Sequence, residues 1–363
     1  MKEDALILTN GLLDQTYAKT CHGLIRNSGR FNLLGIIDQV HVGKDAGEVI
    51  DGIHRGIDVY SSVVDYFEKK DKKPKYLVVG VAFPGGQLPE NCRGEIRSAI
   101  EKGISIVSGL HQFINDDIEF KGLASEYGVE LIDIRKSRPT EELHYWTGEI
   151  FEVTTPRIAV LGMDCIIGKR TTCGFLIEAC EKEGIKAEMI YTGQTGWLQG
   201  HNHGFILDST VNDFVSGEIE RSIVECHREE SPDVIFIEGQ ASLQNPSGPC
   251  GSEFIISGNV KGIILQHAPG RECYKHKEEL GYRIPSVESE VNLIKAFGSE
   301  VLAITLSELD STDEEMVKYK KDIAERLGIP VVRPLVEGTD ELMTIVKEFM
   351  QREEVNPLAK RPA

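Results

Sequence analysis

The stretch RIAVLGMDCIIGKRTTCGFLIEA, which begins at Arg157, constrains the fold of this chain more than any other part of the sequence. Residues 158–161 form an apolar run typical of a buried parallel strand, residues 162–168 a tight glycine loop, and the residues from 169 onward an amphipathic helix. Such a unit points backbone N–H groups and the positive end of a helix dipole at one spot. It predicts a polyphosphate site whose candidate residues are Gly162, Asp164, Cys165, Gly168, Lys169, Arg170, Thr171 and Thr172.

The spacing of this loop departs from the standard G-x-x-x-x-G-K-[ST] pattern, because five residues separate Gly162 from Gly168 and Arg170 follows the lysine. The sequence G-M-D-C-I-I-G-K-R-T-T resembles the G-T-D-T-x-x-G-K-T loop of the dethiobiotin synthetase group of P-loop enzymes. Arg170 stands where that group places a magnesium-binding threonine. This substitution weakens a magnesium-nucleotide interpretation, and we predict no metal ligands.

Composition narrows the class of protein. The chain has 363 residues, 40% of them hydrophobic, and a net charge of −18, with a pI near 5.1. The acidic balance argues against nucleic acid or an anionic membrane as partner. No apolar run approaches membrane-spanning length, and the N-terminus lacks the long apolar region of a signal peptide. The eight cysteines include no C-x-x-C pair, which suits reduced thiols. We therefore expect a cytoplasmic protein that acts on a small molecule.

Strand-like and helix-like stretches alternate along both halves of the chain, which predicts the α/β class. The stretch before residue 156 contains prolines and shows no clear helix or strand period, which suggests a domain boundary near residue 150. We predict an N-terminal Rossmann-like domain at residues 1–150 and a C-terminal P-loop NTPase-like domain with a parallel sheet at residues 151–363. The first half lacks a dinucleotide-binding glycine fingerprint, so a structural role is favoured for Asp38, at the end of the second predicted strand.

Three segments of the second half carry further candidate site residues. The apolar strand of DVIFIEGQASL ends at Glu238, which can hold magnesium or its water in a nucleotide enzyme, or accept a proton in acyl transfer. The segment YTGQTGWLQG reads as a substrate loop in which Gln194 and Thr195 supply amide and hydroxyl donors. LQHAPGRECY places His267 and Arg271 after another strand, and a guanidinium there can grip a carboxylate, although an internal salt bridge is an equal alternative.

Several motifs in combination resemble one bacterial and archaeal family. They are AKTCHGLIR, GVAFPGGQLP and SGLHQFINDD in the first half, and GMDCIIGKRTT, TGQTGW, IEGQASL, LQHAPGR and IPSVESEVNLIKAFG in the second. Members of that family, long listed only as a domain of unknown function, have been assigned as D-glutamate N-acetyltransferases. The resemblance covers nearly the whole chain. It implies a Rossmann-like domain, a P-loop domain, acetyl-CoA as donor and N-acetyl-D-glutamate as product, but it supplies no catalytic residue.

The residues and the resemblance together define the hypotheses. Coenzyme A carries a diphosphate and a 3′-phosphate, so a P-loop can bind it without ATP cleavage. Glu238 or His267 can serve as the base, and loop amides or the Gln194 and Thr195 side chains can face the oxyanion. Candidates for the D-glutamate carboxylates are Arg271, Arg26 and Arg138. The alternatives are an ATP- and magnesium-dependent ligase or kinase like dethiobiotin synthetase, and a nucleotide-regulated binding protein without turnover. We also expect a homo-oligomer.

Overall fold

The fold is described from a computed structural model, which covers residues 2–82 and 84–355. The strands are β1 Glu3–Leu8, β2 Phe31–Ile37, β3 Val59–Tyr60, β4 Tyr76–Val79, β5 Ser105–Ser108, β6 Leu131–Asp133, β7 Arg157–Gly162, β8 Ala187–Ile190, β9 Val234–Glu238, β10 Gly262–His267, β11 Glu300–Leu306 and β12 Val331–Val332. The α-helices are α1 Lys19–Arg26, α2 Ala46–Asp51, α3 Val63–Lys69, α4 Arg93–Glu101, α5 Ile118–Tyr127, α6 Lys169–Lys182, α7 Gln194–Gln199, α8 Asn212–Glu230, α9 Ser252–Ile256, α10 Val287–Ala296, α11 Asp313–Leu327, α12 Pro334–Glu337 and α13 Asp340–Val355. None of the helices in these ranges is long and apolar enough to cross a membrane.

The first compact unit comprises Met1–Arg138 and Gln194–His201. Its strands form one parallel sheet in the order β3-β2-β1-β4-β5-β6, the order of a doubly wound Rossmann-like fold. Successive residues of β1 pack into cores on opposite faces of the sheet, with Leu6 and Leu8 on one side and Ala5 and Ile7 on the other. Burial of both faces explains why the strand sequences are apolar without alternation. The α/β prediction for this half is confirmed.

Asp38 follows β2 and organises the turns around it. Its side chain is fully buried, and its Oδ2 accepts hydrogen bonds from Thr9 Oγ1 and from the backbone N–H groups of Gly11 and Leu13, at 2.7–3.0 Å. Its Oδ1 accepts from the N–H of Val40 and from the N–H and ring of His41. Burial alone would raise the pKa of this carboxyl, but the hydrogen bonds outweigh it and hold the pKa low. The structural role predicted for Asp38 is confirmed.

The second unit comprises Pro139–Gly193 and Asn202–Ala363. Its strands form a parallel sheet in the order β12-β11-β10-β7-β9-β8, which places the phosphate-loop strand β7 between β9 and β10. The predicted P-loop sheet architecture is confirmed. One core face is formed by Ala159, Leu161 and the side chains that pack with them from α8, α9 and α10.

The division between the units falls at Arg138, earlier than the boundary predicted near residue 150. The reason is that two buried carboxylates of α8 bind the segment after Pro139. Glu218 accepts the N–H of His144 at 3.0 Å, and Glu220 accepts the N–H groups of Thr147, Gly148 and Ile150 at 2.6–3.1 Å. These long-range bonds attach to the second unit a segment whose composition resembles a linker.

The segment Gln194–Gln199 is helix α7, where the sequence analysis predicted a substrate loop. It belongs to the first unit. Gly29 donates its N–H to Gln199 O at 2.6 Å, and Arg30 Nε donates to Trp197 O at 2.8 Å, with the guanidinium 4.1 Å from the indole centroid. The chain therefore leaves the second unit after Gly193 and returns to it at Asn202.

Candidate functional site

The phosphate loop joins the end of β7 to the start of α6, as the sequence predicts. Ile166 and Gly168 both have positive φ, +55° and +102°, and Ile166 is 44% exposed. A β-branched residue in the left-handed region is strained, and such strain is characteristic of functional loops. Gly168 precedes α6 and has no side chain with which to cap it. The positive end of the α6 dipole therefore lies at this loop, which is the kind of end that favours an anion.

Lys169 is folded over the loop. Its side chain is only 7% exposed, and its ammonium donates to the carbonyls of Asp164 at 2.5 Å and Ala241 at 3.0 Å. Gly162 makes room for it, because a Cβ at that position would lie 2.9 Å from Lys169 Cδ. Burial lowers the pKa of Lys169, while Cys165 and Asp164 oppose the effect. The role of Lys169 in phosphate binding stays a prediction.

Glu238 lies at the end of β9, close to Arg170 at the start of α6. The Arg170 Nη1 to Glu238 Oε1 distance is 4.0 Å. Glu238 is 5% exposed and also accepts the N–H of Thr192 at 3.1 Å. Burial raises the pKa of Glu238, and the positive charge of Arg170 partly offsets that rise. The structure thus puts a guanidinium beside the carboxylate that would hold magnesium or its water in a nucleotide enzyme.

Asp164 connects the phosphate loop to the two neighbouring loops. It is fully buried; its Oδ1 accepts from Asn245 Nδ2 at 3.2 Å, and its Oδ2 accepts from Arg271 Nη1 at 3.0 Å and from the N–H of Lys275 at 2.8 Å. Arg271 also donates to Cys165 O at 2.8 Å. The salt-bridge alternative for Arg271 therefore exists in the structure. Its role as a carboxylate clamp stays a prediction that depends on its other donors.

The loop after β9 is fixed on its far side by a buried acid of α10. Glu290 accepts the N–H of Leu243 at 2.9 Å and the Gln244 side-chain amide at 2.7 Å. Burial raises the pKa of Glu290, and the bonds from Gln244 and Leu243 oppose that rise. Because Ala241 of the same loop binds Lys169, this network holds the loop against the phosphate site.

The remaining predicted residues of the phosphate loop, Thr171, Thr172 and Cys165, differ in their exposure and contacts. Thr171 is exposed at the start of α6, whereas Thr172 is buried and donates to Gln266 Oε1 at 2.6 Å. Thr172 thus ties α6 to β10, and its role in ligand binding stays a prediction. Burial and the neighbouring Asp164 raise the pKa of Cys165, which keeps it a thiol and disfavours a nucleophilic role.

His267 and Glu238, the two candidate bases, project from opposite faces of the sheet. Side chains alternate along a strand. Gln266 of β10 points toward α6, since its Oε1 accepts a hydrogen bond from Thr172 of that helix. His267, the next residue, therefore points to the other face of the sheet, where the negative charge of Glu288 in α10 acts to raise its pKa. Burial lowers the pKa of His267 to about 4, so its imidazole is neutral at physiological pH. Among the two, Glu238 is the one that lies with Lys169 and Arg170.

Gln194 and Thr195 are buried in the first unit. The Gln194 carboxamide accepts from Arg135, which also donates to Gly109 O, and its Nε2 lies 3.5 Å from Thr20 Oγ1. A Cβ at Gly109 would come within 2.5 Å of Gln194 Oε1, so glycine is needed there. Their predicted substrate role is untested by these contacts. Of the other carboxylate candidates, Arg26 pairs with Asp51 at 3.2 Å.

Sequence reasoning missed the residues that support the phosphate loop, namely Asn245, Gln266, Glu290 and the backbone of Lys275. Three of the four follow or end the strands on either side of β7, or lie in their loops. Position after a neighbouring strand was therefore an available signal. No signal in the sequence identifies the group that each of these residues binds, because every bond joins segments far apart in the chain.

Comparisons with known proteins match both halves. The profile described as "Domain of unknown function (DUF1611_C) P-loop domain" matches residues 144–343, and that described as "Domain of unknown function (DUF1611_N) Rossmann-like domain" matches residues 39–137. A D-glutamate N-acetyltransferase of Tritonibacter scottomollicae is 29% identical over 283 residues, which is 76% of this chain and 82% of that protein. One from Pseudoalteromonas sp is 30% identical over 278 residues, or 74% and 80% of the two chains. The crystal structure of a DUF1611 family protein from Anabaena variabilis matches with a TM-score of 0.85 and 25% identity, over 96% of this chain and 100% of that one.

Proposed function

The chain belongs to the DUF1611 family, and from that premise we propose that it is an N-acetyltransferase that transfers the acetyl group of acetyl-CoA to D-glutamate. Two relatives of similar length bear the name D-glutamate N-acetyltransferase, which supports the reaction class and the acceptor. In this proposal the phosphate loop holds the diphosphate of the donor, and no nucleotide is cleaved.

The observation that carries the proposal is the position of Arg170. Its guanidinium lies 4.0 Å from Glu238, at the strand end where a magnesium-nucleotide enzyme needs a carboxylate for its metal. A guanidinium has only donors and a permanent positive charge, so it disfavours a cation at that point and favours a phosphate oxygen. Coenzyme A brings a diphosphate that can be bound without a bridging metal. The same residue is the main departure from the dethiobiotin synthetase pattern.

The donor's phosphates would be held by Lys169, Arg170 and the first N–H groups of α6, with Gly162, Gly168, Asp164 and Cys165 shaping the loop. Thr171 and Thr172 complete the proposed set as residues of the first helical turn. Lys169 moves from the carbonyls of Asp164 and Ala241 to the phosphates. The thioester then faces the carboxylate of Glu238.

Glu238 is the proposed general base. The amine nitrogen of D-glutamate attacks the thioester carbonyl, and a C–N bond forms while the proton of the amine passes to the carboxylate. The C–S bond then breaks, and the sulfur leaves as the thiol of coenzyme A, with the proton returned to it. Burial in the site raises the pKa of Glu238, which brings its basicity closer to that needed for an amine proton. His267 is the second candidate base, and its neutral imidazole at physiological pH is the form that accepts a proton.

The acceptor carries two carboxylates and needs donors for them. Arg271 has five N–H donors, of which those on Nη1 bind Asp164 and Cys165. We propose its remaining donors for one carboxylate, and the Gln194 and Thr195 side chains for substrate polar groups. The second candidate function is an ATP- and magnesium-dependent ligase or kinase. It is favoured by the acid at the end of β9 beside a phosphate loop.

The experiment that tests the proposal measures release of free coenzyme A thiol from acetyl-CoA and D-glutamate, with a chelator present and ATP absent. We expect turnover with D-glutamate and much less with L-glutamate. Lys169→Ala should lose most of it, whereas Lys182→Ala, an exposed lysine at the other end of α6, should not. Turnover that requires both ATP and magnesium and yields ADP would refute the transferase and support the ligase or kinase.

A further inference from the structure

The loop after β10 brings cations to the phosphate loop. The strands beside β7 are β9 and β10. The loop after β9, residues 239–251, contains no lysine or arginine, and neither does the loop after β11, residues 307–312. The loop after β10, residues 268–286, carries Arg271, Lys275, Lys277 and Arg283. The same loop carries three acids, Glu272, Glu278 and Glu279, so its four cations leave it with a small positive excess in a chain of net charge −18.

The first part of this loop is fixed directly to the phosphate loop. The N–H of Lys275 donates to Asp164 Oδ2 at 2.8 Å, and Arg271 Nη1 donates to Asp164 Oδ2 at 3.0 Å and to Cys165 O at 2.8 Å. Tyr274, between them, is 1% exposed and anchors the turn in the core. A direct hydrogen bond therefore joins the backbone of Lys275 to the carboxylate of Asp164 in the phosphate loop.

The positive charges of this turn are paired to different degrees. Arg271 is paired with Asp164, and Arg283 with Glu272 at 3.2 Å. None of the salt bridges among the described ranges 2–82 and 84–355 takes the ammonium of Lys275 or Lys277, and both side chains are half-buried. Glu278, the next acid, accepts backbone N–H groups of its own residue and of His276, and these bonds together with the nearby charges of Lys275 and His276 hold its pKa low.

Coenzyme A carries one anionic group that ADP and ATP lack, the 3′-phosphate on the ribose that also carries the 5′-diphosphate. Loop amides that bind the diphosphate cannot distinguish the two kinds of ligand. We propose that Lys275 and Lys277 bind the 3′-phosphate of coenzyme A and so determine the preference for coenzyme A over nucleotides without that group. This inference rests on the proposed function and specifies how the donor is selected.

The test is isothermal titration calorimetry of the full-length protein with coenzyme A and with 3′-dephospho-coenzyme A. We expect wild type to bind coenzyme A about tenfold more tightly, as one charge-assisted contact implies. Lys275→Gln with Lys277→Gln should weaken coenzyme A by that factor and leave 3′-dephospho-coenzyme A unchanged, so that the preference disappears. The matched control, Lys318→Gln with Lys321→Gln on the exposed face of α11, removes the same charge and should keep the preference.

The inference is overturned if wild type shows no preference, if the double variant retains it, or if both ligands weaken equally. Turnover decides the proposed function separately. A wild-type protein that binds coenzyme A with this preference but acetylates no D-glutamate refutes the proposed function and leaves the phosphate assignment in place. One that acetylates D-glutamate equally well from acetyl-CoA and its 3′-dephospho analogue, with equal KM, refutes the assignment alone.

Discussion

Removal of the Asp164 carboxylate should destabilise the second unit far more than removal of an exposed carboxylate with the same pair distance. Asp164 and Arg271 are 3.0 Å apart, and their side chains are 0% and 10% exposed. Asp322 and Arg326 on α11 are also 3.0 Å apart, but 58% and 48% exposed. Breaking a buried pair leaves an uncompensated charge and costs about 3–5 kcal/mol. An exposed pair contributes less than about 1 kcal/mol. Asp164→Ala should therefore lower the free energy of unfolding several-fold more than Asp322→Ala.

Denaturant unfolding followed by Trp146 fluorescence reports on this unit, because Trp146 Nε1 donates to Ser257 O there. The chain has two tryptophans, so a Trp197→Phe background removes the signal of the first unit. Adding Arg271→Met to Asp164→Ala should recover part of the loss, since no unpaired guanidinium remains. Equal losses for Asp164→Ala and Asp322→Ala, or no recovery in the double variant, would refute the claim that this pair holds the phosphate loop together.

Three further outcomes are expected. Lys169→Ala should weaken coenzyme A by about 1.5–3 kcal/mol in calorimetry, as loss of a charged contact implies, and unchanged affinity would refute the phosphate-loop assignment. Glu238→Gln should lower kcat about 10²–10⁴-fold, because only the carboxylate accepts a proton. For the same reason, kcat/KM of the wild type should rise as the pH increases through the raised pKa of Glu238. A profile of kcat/KM that does not change with pH would contradict this role. Asp38→Asn should lower the free energy of unfolding of the first unit by about 1–3 kcal/mol. Because folding lowers the pKa of Asp38, the wild type should be more stable than the variant at neutral pH, and this difference should vanish as the pH falls through the folded pKa. A stability difference that persists in acid would contradict this reasoning.

The secondary structure of this chain was predictable because its signals are local. Strands buried on both faces must be apolar throughout, so the strands that contain Ala5, Val160 and Ile264 stand out as uninterrupted apolar runs. Strand β3 gives no such signal, since two residues show no period to detect. The phosphate loop was equally readable, because its function depends on glycines and a lysine at fixed spacing between a strand and a helix.

The sequence by itself determined the fold class, the two sheets, the phosphate loop and the departure at Arg170, because each is a property of neighbouring residues. Only the tertiary structure decided that Asp164 binds Lys275, 111 residues away, that Glu238 rather than His267 shares the face of α6, and that α7 belongs to the first unit. These features depend on which loops meet at a sheet edge and on the register of the strands. A shift of one residue in register would move every side chain of a strand to the opposite face of the sheet. Such pairings are fixed by packing between distant segments and leave no local pattern in the sequence.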